Sequence, residues 1–173
     1  MGSWVARQIA IEHSERVDGL VLAGAFSGSL VRDPEAAAEM RQLADVPDPV
    51  TDEIARVFQE STLASPIAPE LLDSFVDESL KLPAHAWRDL FLGFAELDQA
   101  DAPALTMPAL LIWGDRDAFI PREVQDELLE TLPDSRLSVY EGVGHAVHWE
   151  RPKRFATEVA AFSRCSAGLQ LSR

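Results

Sequence analysis

Two short, uninterrupted apolar runs constrain the fold more than any other feature of the sequence. Leu20–Gly24 ends in a glycine, and Ala109–Trp113 is followed by one. Runs of this length without polar alternation are typical of strands buried on both faces of a parallel sheet. A third segment, Arg136–Tyr140, alternates polar and apolar residues, which indicates a strand at an edge. Such strands, separated by helices, predict an α/β fold with right-handed crossovers.

Helices fill most of the remaining chain, and many begin at proline or at a helix-capping residue. Asp33-Pro34 places an N-cap residue before a proline at the first helical position, and Thr51 can cap the next helix. The helix from Pro83 carries large apolar residues at helical spacing. They are Trp87, Leu90, Phe91 and Phe94. Core packing explains such a stripe, and the alternative is that it lines a substrate pocket. Residues after Cys165 are expected to fray.

The formal net charge of −14 is concentrated in residues 31–103, which hold 16 acidic and 5 basic residues. This charge would repel a phosphate backbone, so we expect no nucleic-acid partner. It suits a neutral or cationic ligand, although a solvated surface is the simpler explanation.

Neither a membrane-spanning segment nor a disulfide framework is indicated by the sequence. No apolar run approaches the roughly 18 residues needed to cross a bilayer, and the first residues lack the pattern of a signal peptide. The single cysteine, Cys165, cannot form an internal disulfide. We therefore expect a cytoplasmic protein with no membrane partner.

Two loops that follow strands carry the candidate catalytic residues, as is usual at the carboxyl ends of parallel strands. Asp115 and Asp117 follow the second strand, and Asp117 is better placed to orient a histidine because it lies farther from the strand. Both aspartates are also explained as turn formers. His145 follows Gly142 and Gly144, which allow a sharp loop, and a histidine there can act as general base.

A metal site is the alternative interpretation of the second loop. His145 and His148 are three residues apart, and Glu150 is close by. The spacing matches no standard zinc motif, and no cysteine partner is near. We therefore expect no metal here.

Several segments, taken in their order and spacing along the chain, resemble the α/β-hydrolase superfamily. The resemblance covers nearly the whole chain. The segments are Gly2-Ser3-Trp4-Val5-Ala6, His13-Ser14-Glu15-Arg16-Val17, Leu20-Val21-Leu22, Leu111-Ile112-Trp113-Gly114-Asp115-Arg116-Asp117 and Gly144-His145-Ala146-Val147-His148-Trp149-Glu150-Arg151-Pro152.

The resemblance implies a partial α/β-hydrolase fold. Residues 1–27 and 104–173 would be the C-terminal part of the core, with parallel strands and flanking helices, and residues 28–103 a helical cap. Asp117 matches the family's catalytic acid and His145 its catalytic histidine, in the family's chain order. The implied reaction is Ser-His-Asp acyl transfer to water from a small or medium ester, lactone or related carbonyl compound, without a cofactor. Candidates for the substrate pocket are Trp87, Phe91, Phe94 and His148.

By the same resemblance, the nucleophile would directly precede Met1. If Gly2 is the final glycine of a G-x-S-x-G turn, the serine and its strand belong upstream. Met1 then occupies the position whose backbone N–H completes the oxyanion hole. Ser3 is no substitute, because it lies within the first helical turn. We therefore expect this chain to be truncated at the nucleophile and nearly inactive by itself.

Two other functions remain open. One is a dehalogenase-type hydrolase with an aspartate nucleophile, but such relatives usually carry tryptophan just after the nucleophile, where this chain has Met1. The other is a non-catalytic fragment or ligand-binding module that keeps the cap. The strand at 20–24 would also expose an edge without its neighbour, so we expect self-association.

Overall fold

A three-stranded parallel sheet flanked by helices forms the centre of the fold. It is described from a computed structural model of the chain, which defines residues 1–97 and 105–170. The strands β1 (Leu20–Ala23), β2 (Ala109–Gly114) and β3 (Ser135–Tyr140) lie in this order in the sheet, with Leu22 beside Leu111 and Leu111 beside Leu137. This arrangement confirms the predicted α/β class with parallel strands.

The described elements include five helices between β1 and β2. In chain order they are α1 (Gly2–Glu12), a 3-10 turn (Ser14–Arg16), β1 (Leu20–Ala23), α2 (Gly28–Arg32), α3 (Pro34–Leu43), α4 (Asp52–Ser61), α5 (Pro69–Leu80), α6 (Ala84–Ala95), β2 (Ala109–Gly114), α7 (Arg122–Thr131), β3 (Ser135–Tyr140), α8 (Val147–Glu150) and α9 (Pro152–Gln170).

Alternate strand residues pack into two apolar clusters, one on each face of the sheet. Leu22 and Leu111 share a cluster with Leu128 of α7. Ile112 faces the other way and shares a cluster with Phe162 of α9. Every residue of β2 is buried, as its uninterrupted apolar run predicts, whereas β3 at the sheet edge is partly exposed.

Helices α3 to α6 form a separate apolar cluster above the carboxyl ends of the strands. In it α3 packs against α6, and α4 packs against α5. Its buried centre includes Val76, Trp87 and Phe91. Phe26 and Phe94 join this layer to the sheet with their ring centroids 4.7 Å apart. The division into core and cap stays a prediction, and its second boundary, at residues 103 and 104, lies outside the described residues.

The helix ends test the sequence-based expectations directly. Asp33 Oδ1 accepts a hydrogen bond from the Glu35 N–H at 2.9 Å, and Thr51 Oγ1 accepts one from the Ile54 N–H at 3.3 Å, which confirms both N-caps. The expected fraying after Cys165 is wrong as far as Gln170, where α9 ends, and residues 171–173 lie outside the described residues. Of the helices in the described part of the chain, none is both long and apolar enough to cross a bilayer.

Candidate active site

His145 and Asp117 lie within hydrogen-bond distance of each other at the carboxyl ends of the strands. Nδ1 of His145 is 2.9 Å from Oδ2 of Asp117. The Asp117 side chain is fully buried, whereas that of His145 is 34% exposed. A carboxylate oxygen can only accept a hydrogen bond, so in this contact Nδ1 carries the ring hydrogen and donates it. The lone pair of Nε2 is left free. The two residues thus have the geometry of a base and its orienting acid.

A tight turn after β2 fixes the carboxylate of Asp117. Its Oδ1 accepts hydrogen bonds from the N–H groups of Phe119 and Ile120 at 2.9 and 3.0 Å. The indole N–H of Trp113 donates to the Ile120 carbonyl at 2.8 Å and ties the same turn to the strand. With Oδ1 held by the backbone, Oδ2 is left to face His145.

The histidine loop lies directly against the end of β2. Asp115 Oδ1 accepts from the Gly142 N–H at 2.6 Å, so Asp115 joins the two loops and does not contact His145. A methyl group at Gly114 would lie 2.2 Å from the Val143 carbonyl oxygen, so a side chain there is excluded. Gly142 adopts a φ of 68°, a conformation that favours glycine.

A cavity of about 350 Å³ adjoins His145, between the ends of the strands and the helical layer. Its walls are mostly apolar and include Met1, Phe91 and Phe94. The described residues that line the cavity also include three with carboxylate side chains, and none of the lining residues is a lysine or arginine. These carboxylates belong to Asp33, Glu35 and Glu39. The site is thus an apolar space with a negative field and a histidine at one end.

The residues expected to line the pocket occupy different places. Phe91 and Phe94 line the cavity beside His145. Trp87 lines a second, neighbouring cavity of about 590 Å³, which shares Phe91, and its indole N–H donates to the Ser79 carbonyl. His148 is not among the residues that line either cavity.

The His148 ring lies against other aromatic rings. Its centroid is 5.2 Å from that of Trp149 and 5.7 Å from that of Phe155. Partial burial, and then the charge that His145 would carry, lower the pKa of His148. The neutral imidazole is therefore favoured there.

The alternative metal site finds no support in the geometry. Both carboxylate oxygens of Glu150 accept backbone N–H groups, and His145 faces Asp117. Within residues 1–97 and 105–170, no three His, Cys, Asp or Glu side chains are grouped to hold a metal ion.

The sequence analysis assigned no role to two neighbours of His145, Gly24 and Phe119, and considered a third, Glu150, only for the alternative metal site. Gly24 closes β1 with a positive φ beside the imidazole, and the Phe119 ring meets it edge-on at 5.5 Å. Glu150 binds the loop that carries His145. An isolated glycine at the end of a buried strand is a signal for a close backbone approach and could have indicated Gly24.

Comparison with known proteins identifies the fold and family of this arrangement. The model of the family described as serine aminopeptidase, S33, matches residues 1–152 of the chain. The match includes both loops and their Asp117–His145 pair. The chain belongs to this α/β-hydrolase family. The chain spans about 60% of the length of the first two curated relatives that it matches.

Two relatives of this chain have named activities. A 2-hydroxy-6-oxononadienedioate/2-hydroxy-6-oxononatrienedioate hydrolase from a Pseudomonas species is 31% identical, over 94% of this chain and 60% of that protein. A pimeloyl-[acyl-carrier protein] methyl ester esterase from Vibrio vulnificus is 25% identical, over 94% of this chain and 67% of that protein. Among solved structures, an esterase from Exiguobacterium antarcticum superposes with a TM-score of 0.81 at 21% identity. That likeness covers 94% of this chain and 63% of the esterase, and it supports the shared fold.

Proposed function

We propose that this hydrolase chain supplies the general base, His145, and its orienting acid, Asp117, for hydrolysis of an ester, lactone or related carbonyl compound. The supporting observation is the 2.9 Å contact between the two side chains, made where His145 lines a cavity. We further propose that a serine preceding Met1 in a longer protein is the nucleophile. Met1 and Gly24 line the same cavity as His145, so a residue directly before Met1 would be near the imidazole.

In the proposed reaction, Nε2 of His145 takes the proton of the serine hydroxyl as its oxygen attacks the substrate carbonyl. The protonated imidazole then gives that proton to the departing oxygen, and an acyl-enzyme remains. Water attacks the acyl group with the same proton transfers, which releases the acid and regenerates the serine. Throughout, Asp117 holds the Nδ1 hydrogen and stabilises the positive imidazolium.

The cavity favours a medium-sized substrate without negative charge. A volume of about 350 Å³ is within the range of small-molecule sites. The named substrates of both curated relatives contain a carbonyl group, and that of the Pseudomonas relative is a dicarboxylate. Three carboxylates line the cavity here, so we propose that this hydrolase prefers an uncharged or cationic compound.

Covalent labelling of the complete protein, meaning the translation product of the whole reading frame, tests the proposal. We expect a fluorophosphonate probe to label it at one serine preceding Met1 and p-nitrophenyl butyrate to be hydrolysed. The 173-residue chain alone should do neither. His145→Gln should lower kcat/KM by roughly four decades, whereas the matched His13→Gln, at an exposed helix end, should not. A stop codon directly before Met1, or unchanged activity of His145→Gln, would refute the proposed role.

A ligand-binding function without catalysis is the second candidate, because no serine or cysteine is among the described residues that line the cavity beside His145. It predicts saturable binding of neutral esters to the complete protein with no probe labelling and no turnover. Labelling at a serine would exclude it.

A further inference from the structure

The buried carboxylate of Glu150 lies between the helical layer and the loop that carries His145. Glu150 is only 9% exposed. Its Oε1 accepts hydrogen bonds from the N–H groups of Gly144 and Ala64 at 2.7 and 3.1 Å, and its Oε2 accepts one from Ser65 at 3.0 Å. A buried carboxylate with three backbone donors is satisfied without a cation. One side chain thus joins two segments that are about 80 residues apart in sequence.

The backbone on both sides of His145 is tied to the same segment of the helical layer. The N–H of Gly144 is held by Glu150, which also holds Ala64, and the N–H of Ala146 donates to the Thr62 carbonyl at 3.0 Å. A methyl group at Gly144 would lie 2.6 Å from the Ala64 nitrogen. His145 therefore sits on a peptide whose two neighbours are fixed against the turn that follows α4.

The position of the histidine loop determines whether His145 can act as a base. Nδ1 of the imidazole must stay hydrogen-bonded to Asp117 while Nε2 faces the cavity. Both conditions depend on where the loop backbone lies. Thr62 itself lines that cavity. Loss of the Glu150 carboxylate would leave three N–H groups without their acceptor and free the loop to move away from the turn at 62–65.

We propose that Glu150 is a positioning residue for His145, which it holds in its catalytic place by clamping the histidine loop to the 62–65 turn. The proposal rests on the proposed role of His145 as the base. The proposal makes the turn at 62–65 a fixed side of the site.

Kinetics and imidazole NMR on the complete protein test this role. We expect Glu150→Ala to lower kcat by about 100-fold, the usual cost of misplacing a catalytic group by an ångström, with a smaller change in KM. In protein labelled with ¹⁵N-histidine, the hydrogen-bonded Nδ1 proton of His145, assigned with His145→Gln, should weaken. Glu150→Gln keeps one acceptor oxygen and should recover part of both signals.

Leu128→Ala is the control for a purely structural effect, because Leu128 lies in the cluster of α1, α7 and the sheet. It should lower the melting temperature yet leave the Nδ1 proton and kcat unchanged. A folded Glu150→Ala or Glu150→Gln protein with wild-type kcat and Nδ1 proton would overturn the proposal. So would an equal loss of both signals in Leu128→Ala. If His145→Gln kept full activity, the proposed function would fail instead, and the NMR signal would still report whether Glu150 places the ring.

Discussion

Gly24 and His145 are in such close contact that no side chain fits between them. A methyl group at Gly24 would lie 2.6 Å from Cε1 and 2.8 Å from Nδ1 of the imidazole. Gly24 also has a φ of +53°, which favours glycine. The end of β1 therefore forms a backbone wall against which the histidine ring rests.

Gly24→Ala should displace the imidazole from Asp117. We expect kcat/KM of the complete protein for p-nitrophenyl butyrate to fall by about 100-fold or more, because a catalytic group moved by an ångström loses roughly that factor. Gly93→Ala is the matched control, since a methyl group there meets nothing within 4 Å. Equal activity of the two variants would contradict the steric role of Gly24.

Sequence reasoning reached the strands and the two loops because their signals are local. A buried parallel strand needs an uninterrupted apolar run, as in Ala109–Trp113, and the loops after such strands meet at one edge of the sheet. The contact of Asp117 with His145 follows from that topology and from the family resemblance. The Gly24 contact and the Glu150 clamp do not, since the first depends on how closely the histidine loop approaches the end of β1 and the second on how the helical layer packs on that loop. The helices α2 and α8 were missed because five and four residues are too few to show a periodicity.

Asp117→Asn should impair the orientation of His145 without disturbing the fold. An asparagine oxygen can still accept from Phe119 and Ile120, so the turn should persist. The amide facing His145 would then favour the wrong tautomer, and we expect kcat to fall by about three to four decades. Asp115→Asn, whose oxygen can still accept from Gly142, should stay within a few-fold of wild type when hydrolysis of p-nitrophenyl butyrate is measured for both variants.

Glu39→Lys should change the preference for substrate charge. Glu39 lines both cavities and is exposed on α3, so a lysine there replaces a negative charge with a positive one. We expect kcat/KM for an anionic ester, relative to a neutral ester of the same length, to rise by about tenfold at low salt. Glu60→Lys on α4, outside both lining sets, should leave that ratio unchanged. A ratio that moves equally in both variants would rule out a local effect of the cavity charge.

The carboxylate of Glu127 should contribute a pH-dependent part of the stability. Hydrogen bonds from Ser27 and Ser29, and then the charge of Arg32, lower its pKa below the ordinary value of 4.5. A lowered carboxyl pKa stabilises the fold above that ordinary value, and the contribution is lost as the pH falls through the folded-state pKa. Urea unfolding between pH 3 and pH 7 should therefore show a smaller acid dependence for Glu127→Gln. Glu130→Gln, exposed on the same helix, should keep the wild-type slope, and a similar slope in both variants would contradict the assignment.

The open edge of β1 is the proposed source of self-association in the 173-residue chain. Within the described sheet β1 pairs with β2 alone, and the Leu20 and Gly24 N–H groups donate to that side. By alternation, the Val21 N–H points to the open edge, so a proline there removes no sheet hydrogen bond and blocks a further strand. We expect wild type to show concentration-dependent mass in sedimentation velocity and Val21→Pro to remain monomeric. Val21→Ala loses comparable packing but keeps the N–H, so it should associate like wild type. A monomeric wild-type chain at every concentration would show that this edge does not recruit a second copy.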